Sequence, residues 1–151
     1  MFQRKGDNMS THSLEIKKKF SVPADMIYDA WLDPNAIREF MRPMDVVTIP
    51  EPKVEARVGG AFQFDMHAGE NIIPHKGEYK ILERPTKIQF TWNSMNTNND
   101  DSLVTITINA IDKSSCELTL LHELLPSESS KNDHNGGWTN ILKTLDEVVS
   151  K

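Results

Sequence analysis

Five stretches of the chain alternate apolar and polar residues with a period of two, and a stripe at helical spacing closes the sequence. Phe62, Phe64 and Met66 share one parity. So do His75, Tyr79 and Ile81, then Ile88, Phe90 and Trp92, then Val104, Ile106 and Ile108, and finally Cys116, Leu118, Leu120 and His122. Successive side chains on a strand point to opposite faces, so each set lies on one side of its strand, while Lys76, Glu78, Lys80, Gln89 and Thr91 take the other. The pattern predicts a sheet with one dry face. Polar turns at 84–86, 93–101 and 112–115 separate the strands. Connections that short force antiparallel pairing, because a parallel crossover needs about a dozen residues or more.

Ahead of these strands, residues 1–11 are polar and aperiodic and read as a loose leader to a single domain over 12–151. Leu14, Ile16 and Phe20 predict a first strand beginning near His12. Pro23 and the pair Asp33-Pro34 then start two short helices, carrying Ile27, Ala30 and Trp31 on one and Ile37, Phe40 and Met41 on the other. Residues 44–58, broken by Pro50 and Pro52, predict one or two edge strands. Residues 67–74, with Gly69, read as a connection. The last helix starts after Pro126 with Ser127 or Ser130 as its N-cap, the latter forming a capping box with Asp133. Its stripe is Trp138, Ile141, Leu142, Leu145, Val148 and Val149, with His134 one turn earlier. Gly136 and Gly137 fall inside the pattern, where each costs about 1 kcal/mol relative to alanine. Either the sheet backbone or a ligand comes close there, or the helix begins only after them. The expected fold is α+β, a curved antiparallel sheet wrapped around a long C-terminal helix, with two short helices after the first strand.

Composition supports this reading and narrows the function. A chain of 151 residues, 38% hydrophobic and 26% charged, can bury a core without staples. Its one cysteine, Cys116, has inward parity and reads as a core residue of a protein in a reducing, cytoplasmic compartment. No apolar run approaches the roughly 20 residues that span a bilayer, so no membrane partner is expected. A net charge of -5 argues against nucleic acid, and the run Lys17 to Lys19 is too short to reverse it. The sequon at Asn8-Met9-Ser10 would matter only on a secreted chain.

One helix can hardly cover so broad an apolar face, and polar rings lie among its residues, so a cavity is expected between sheet and helix. Its apolar wall comes from Trp31 and Phe40 of the short helices, from Phe62, Phe64, Met66, Phe90, Trp92 and Ile106 of the strands, and from Trp138 and Leu142 of the last helix. His75, Tyr79, His122 and His134 are its placed polar groups. Zinc sites are announced by tighter histidine spacing, no carboxylate shares the inward parity, and His122-Glu123 lacks a following histidine, so no metal is expected. No dinucleotide fingerprint, phosphate-cradling loop or Gly-x-Ser-x-Gly elbow occurs, and no cofactor is expected. Lys18 shares parity with Ile16 and Phe20; a bulge should turn it outward, and if it faces in, an anionic ligand group is its natural counterion.

Several segments together carry a family resemblance. They are Phe20-Ser-Val-Pro23 leading to Ala30-Trp31-Leu-Asp-Pro34, Arg57-Val-Gly-Gly60-Ala-Phe62, His75-Lys-Gly77-Glu-Tyr79, Phe90-Thr-Trp92, Leu118-Thr-Leu-Leu-His122-Glu123, and His134 with Gly137-Trp138. The chain resembles the START-like, or SRPBCC, helix-grip superfamily, and within it the branch related to the C-terminal domain of the activator of the ninety-kilodalton heat-shock chaperone's ATPase. The fold hosts many chemistries, and the superfamily includes lipid and hormone binders, so the expected cavity points to binding of a small hydrophobic or aromatic molecule. Its alternatives are a cyclase, dehydratase or hydrolase using the cavity histidines, and a module that contacts a chaperone. A homodimer through exposed sheet edges is a further partner arrangement the strands permit.

Overall fold

The computed structural model describes residues 12–151; the proposed leader 1–11, with its sequon, lies outside them. Strand β1 (His12–Phe20) is followed by helices α1 (Ala24–Leu32) and α2 (Pro34–Phe40). Strands β2 (Lys53–Val54), β3 (Ala61–Ala68), β4 (Asn71–Glu83) and β5 (Lys87–Trp92) come next, then a single 3-10 turn, Met95–Thr97. Strands β6 (Ser102–Asp112) and β7 (Ser115–Leu125) lead to helix α3 (Glu128–Val149). All strands pair antiparallel in one sheet of order β1-β7-β6-β5-β4-β3-β2. The chain thus returns to the first strand last, and α3 packs against β1, β7 and the two short helices. The predicted α+β architecture is the one observed.

Antiparallel partners lie on the same face, so the register shows which parities survive. Phe64 opposes His75, Phe90 opposes Val104, and Val104 opposes His122, which keeps the inward sets together. Ile81 is the exception. A bulge between Tyr79 and Ile81 shifts the register by one, so Ile81 opposes Gln89 on the outer face and Leu82 opposes Ile88 on the inner one. An extra residue in one strand reverses the alternation beyond it, and Leu82, not Ile81, packs on the core.

Other expectations change in similar ways. Residues 67–74 are not a loose connection: β3 and β4 pair through Ala68 and Asn71, leaving only Gly69 and Glu70 as the turn. Gly69 takes a left-handed backbone there, at φ 65°, which a residue without Cβ accepts readily. The 44–58 segment forms the two-residue edge strand β2, plus a single bridge between Thr48 and His67.

Helix α3 is capped by Ser127, whose hydroxyl accepts from the Ser130 amide at 3.0 Å; Ser130 is inside the helix, so its capping box with Asp133 does not form. The Ser130 hydroxyl instead donates to the Asn96 carbonyl at 2.6 Å, tying the helix to the turn before β6. Both glycines are helical, which removes the later start. Pro43 is what comes close: a Cβ on Gly137 would lie 3.0 Å from Pro43 Cβ, whereas one on Gly136 would meet nothing.

No bulge turns Lys18 outward. It opposes Leu118 in regular register, and its ammonium lies 3.5 Å from an Asp146 carboxylate oxygen on α3. The counterion is supplied by the protein's own last helix.

Candidate functional site

Much of the expected lining packs upon itself. Phe62 stacks on Phe64 with ring centres 4.8 Å apart and meets Phe90 edge-on at 5.4 Å and Tyr79 at 5.4 Å. Trp31 sits edge-on to Phe40 at 5.2 Å, and Ile106 and Leu142 are buried. Aromatic pairs at such offsets are cohesive core, so this end of the expected lining is filled.

Space remains at the other end. A slot of about 100 Å³ is lined by Met66, His75, Trp92, His134 and Trp138, with Pro43, Asn96, Asp133, Gly137 and Ile141 around its edge. It adjoins a wider cleft of about 340 Å³, with which it shares Pro43, Met66, His75, Asn96 and Asp133. The cleft adds Met44, Val47, Ala68, Ile73 and Met95, all apolar. Five of the expected site residues therefore converge on the slot. The walls of the cleft come from the α2–β2 loop, the β3–β4 hairpin and the 3-10 turn, segments whose broken periodicity gave no face to read. Met44 and Met95 are largely exposed at its mouth, where flexible thioether side chains adapt to varied apolar surfaces.

A larger hollow, about 550 Å³, lies on the opposite side over β2 to β5. Lys53, Glu55, Lys76, Glu78 and Asp101 line it with charges of both signs, the composition of a solvated sheet surface. The smaller apolar cleft has the features of a binding site: apolar walls with a few polar atoms at one end.

Those polar atoms have distinct states. An indole N–H can only donate, so Trp138 Nε1, 2.9 Å from His122 Nδ1, fixes that nitrogen as an acceptor. His122 Nε2–H then donates to Ser102 Oγ at 2.7 Å, and the Ser102 hydroxyl donates on to the Trp92 carbonyl at 2.7 Å. His122 is a fully bonded, neutral strut. His75 Nδ1 donates to the Ile73 carbonyl at 3.0 Å, and His134 Nδ1 to the Ser130 carbonyl at 2.8 Å. Their Nε2 atoms carry lone pairs with no protein donor among the described residues. Trp92 Nε1 and Trp31 Nε1 are buried with no acceptor.

Burial lowers all three imidazoles, His75 to about 4 and His122 to about 3, with the neighbouring His134 adding to both shifts. The unfolded chain titrates near 6.5 and gains protons that the fold refuses. Stability is therefore full above about pH 6.5 and declines as pH falls toward 4. Urea unfolding followed by tryptophan fluorescence should give a lower midpoint at pH 5 than at pH 7.5; equal midpoints would contradict the buried neutral imidazoles.

Among the described residues, no group of three or more His, Cys, Asp or Glu is placed to hold a metal ion. No helix among them is long and apolar enough to cross a membrane.

A curved antiparallel sheet closed on a long C-terminal helix, with a cleft at the helix's N-terminal half, defines a START-like helix-grip protein. The family model described as activator of Hsp90 ATPase homolog 1-like protein matches residues 21–150, and the chain belongs to that family. The structure is similar to protein CV1439 from Chromobacterium violaceum, with 24% identity, coverage of 93% of this chain and 99% of that one, and a TM-score of 0.83. It is also similar to the AHSA1 protein from Silicibacter pomeroyi, at 20% identity, 92% and 98% coverage and a TM-score of 0.79. An HSP90 activator from Plasmodium falciparum matches at 22% identity, 91% and 96% coverage and a TM-score of 0.73. No curated protein matches the chain in sequence.

Proposed function

We propose that the chain binds a small hydrophobic or aromatic molecule in the cleft, with the slot receiving its inner end. The observation that carries this is the continuity of an apolar cleft with a slot containing two imidazole nitrogens that no donor among the described residues satisfies. The site comprises Met66, His75, Trp92, His134 and Trp138 in the slot and Met44, Val47, Ala68, Ile73 and Met95 in the cleft. The remaining expected residues, from Trp31 to Leu142, support it as packed core.

Titration with a fluorescent apolar probe tests the reading. Ala68→Trp fills the cleft and Ile73→Glu places a charge in its wall; each is expected to weaken probe binding at least about tenfold, since burying an unpaired charge or removing the space opposes insertion. Lys53→Glu, on the opposite face, is expected to leave it unchanged. Equal binding in all three variants would remove the cleft from the account.

An enzyme using these histidines is a weaker reading: His122 has both nitrogens engaged, and no carboxylate among the described residues bonds to His75 or His134. The one hydroxyl near them, Ser130 Oγ at 3.4 Å from His134 Nδ1, already donates to the Asn96 carbonyl and faces a nitrogen that itself donates to the Ser130 carbonyl. A chaperone-contact role is supported by the family's description, and ranks second because likeness to the HSP90 activator at 22% identity speaks to the fold. A reducing, cytoplasmic setting suits Cys116, whose thiol is buried and pushed upward by burial, away from reactivity.

A further inference from the structure

The polar atoms of the slot specify the head group of its guest. Its rings form a connected wall: His75 lies 5.2 Å from Trp92, and Trp92 lies 5.1 Å from Trp138, centre to centre. His75 and His134 each offer one Nε2 lone pair, because each spends its Nδ1–H on a backbone carbonyl. The Trp92 Nε1–H also lacks an acceptor among the described residues, but it is sealed from the surface and takes no part in the contact. A complementary guest must donate.

Charge narrows this further. Among the described residues, no lysine or arginine lines the slot or the cleft, and the one formal charge there is Asp133 on the rim. A carboxylate or phosphate would meet lone pairs and another anion. An ammonium would pair with the imidazoles, but the same burial that keeps both rings neutral penalises any ion brought beside them. A hydroxyl avoids that penalty, since it donates through its hydrogen while carrying no charge.

We propose that the ligand is an uncharged alcohol or phenol whose hydroxyl enters the slot, donating to Nε2 of His75 or His134, while its apolar body lies along the methionine-lined cleft. The inference rests on the small-molecule reading of the cleft. It adds that recognition there discriminates by hydroxyl and not by apolar area alone. A site built to hydrogen-bond a hydroxyl rejects the analogue lacking it, because the site's own polar atoms are then left unpaired.

Four probes on one naphthalene body test this with the full chain at pH 7: 2-naphthol, 2-methoxynaphthalene, 2-naphthoate and 2-naphthylmethylamine. The naphthol is expected to bind at least about tenfold more tightly than the methyl ether and than either charged probe. His75→Phe combined with His134→Phe is expected to abolish that preference while preserving affinity for the ether. In the unaltered protein, the imidazole nitrogen resonances of His75 or His134 are expected to shift with naphthol and not with the ether, a readout that does not depend on the variants folding. Equal affinity for naphthol and ether, or tighter binding of a charged probe, overturns the hydroxyl assignment and leaves the hydrophobic site standing. Absence of binding by all four overturns the small-molecule reading itself, and this inference with it.

Discussion

Replacing Trp138 with alanine is expected to lower the thermal midpoint by roughly 10 °C, the largest loss from any single truncation in the core. Trp138 is 2% exposed, and its ring lies among Trp31, Trp92 and His122 at 6.3, 5.1 and 5.9 Å. Truncating a buried tryptophan costs about 3–5 kcal/mol through lost contact and residual cavity. At this chain length each kcal/mol moves the midpoint by about 2–4 °C. There is a second cost. The indole N–H is the donor that fixes His122 Nδ1, so alanine leaves a buried lone pair unsatisfied at the head of the chain running through Ser102 to the Trp92 carbonyl. Trp138→Phe separates the two terms: it keeps most of the bulk and loses the hydrogen bond, and about 1–3 kcal/mol is expected for it alone. Thermal unfolding by circular dichroism checks the order, with alanine below phenylalanine below the unaltered chain. Two variants within 1 kcal/mol of the parent would show that the helix is not pinned to the sheet through this residue.

Alanine at Gly77 is expected to do comparable damage by the opposite mechanism. Gly77 faces inward opposite Phe62, where its added Cβ would overlap the Thr91 carbonyl oxygen of the next strand and lie 2.5 Å from the Phe62 ring. The first of these is backbone, which cannot rotate away. The ladder is irregular here: the Glu78 amide donates to the Thr91 hydroxyl at 2.9 Å, and the bulge beyond Tyr79 follows directly. Overpacking of this kind costs about 1–3 kcal/mol when side chains can yield, and more is expected when the obstacle is main chain. Soluble yield and thermal midpoint should both fall. Gly136→Ala is the informative contrast, because its Cβ would meet nothing and the site is helical; it is expected to stabilise by up to about 1 kcal/mol. If the two alanines behave alike, the close approach at Gly77 is not what shapes the sheet.

The legible part of this protein was the part with a repeating pattern. Strands from Phe62 to His122 show a period of two, and the stripe from Trp138 to Val149 shows the helical one, so elements, antiparallel pairing and most inward faces can be read directly. The failures lie where one residue breaks a period. The bulge after Tyr79 is invisible in the alternation of His75, Tyr79 and Ile81, because the residues on both sides of the break are apolar. Lys18 was expected to be turned out by a bulge, yet strand regularity prevailed, since Asp146 from a distant helix compensates the ammonium. The candidate site shows the same division. His75, His134, Trp92 and Trp138 were visible by parity, but the cleft beyond them uses Pro43, Met44, Val47 and Met95 from aperiodic segments. The one hint was several apolar residues in a stretch broken by prolines.

Sequence alone determined that this chain makes a curved antiparallel sheet gripping a terminal helix, because side-chain alternation and helical spacing are local properties that burial of apolar area enforces. Tertiary structure decided which rings became core and which became wall. Phe62, Phe64 and Phe90 share parity with Trp92, but inward parity does not say whether another ring will fill the space ahead. It also set the protonation and tautomer of His75, His122 and His134, since those depend on whether the nearest partner is an indole N–H, as at His122, or a carbonyl, as at His75 and His134. That difference leaves one imidazole as a strut and two with a nitrogen to offer.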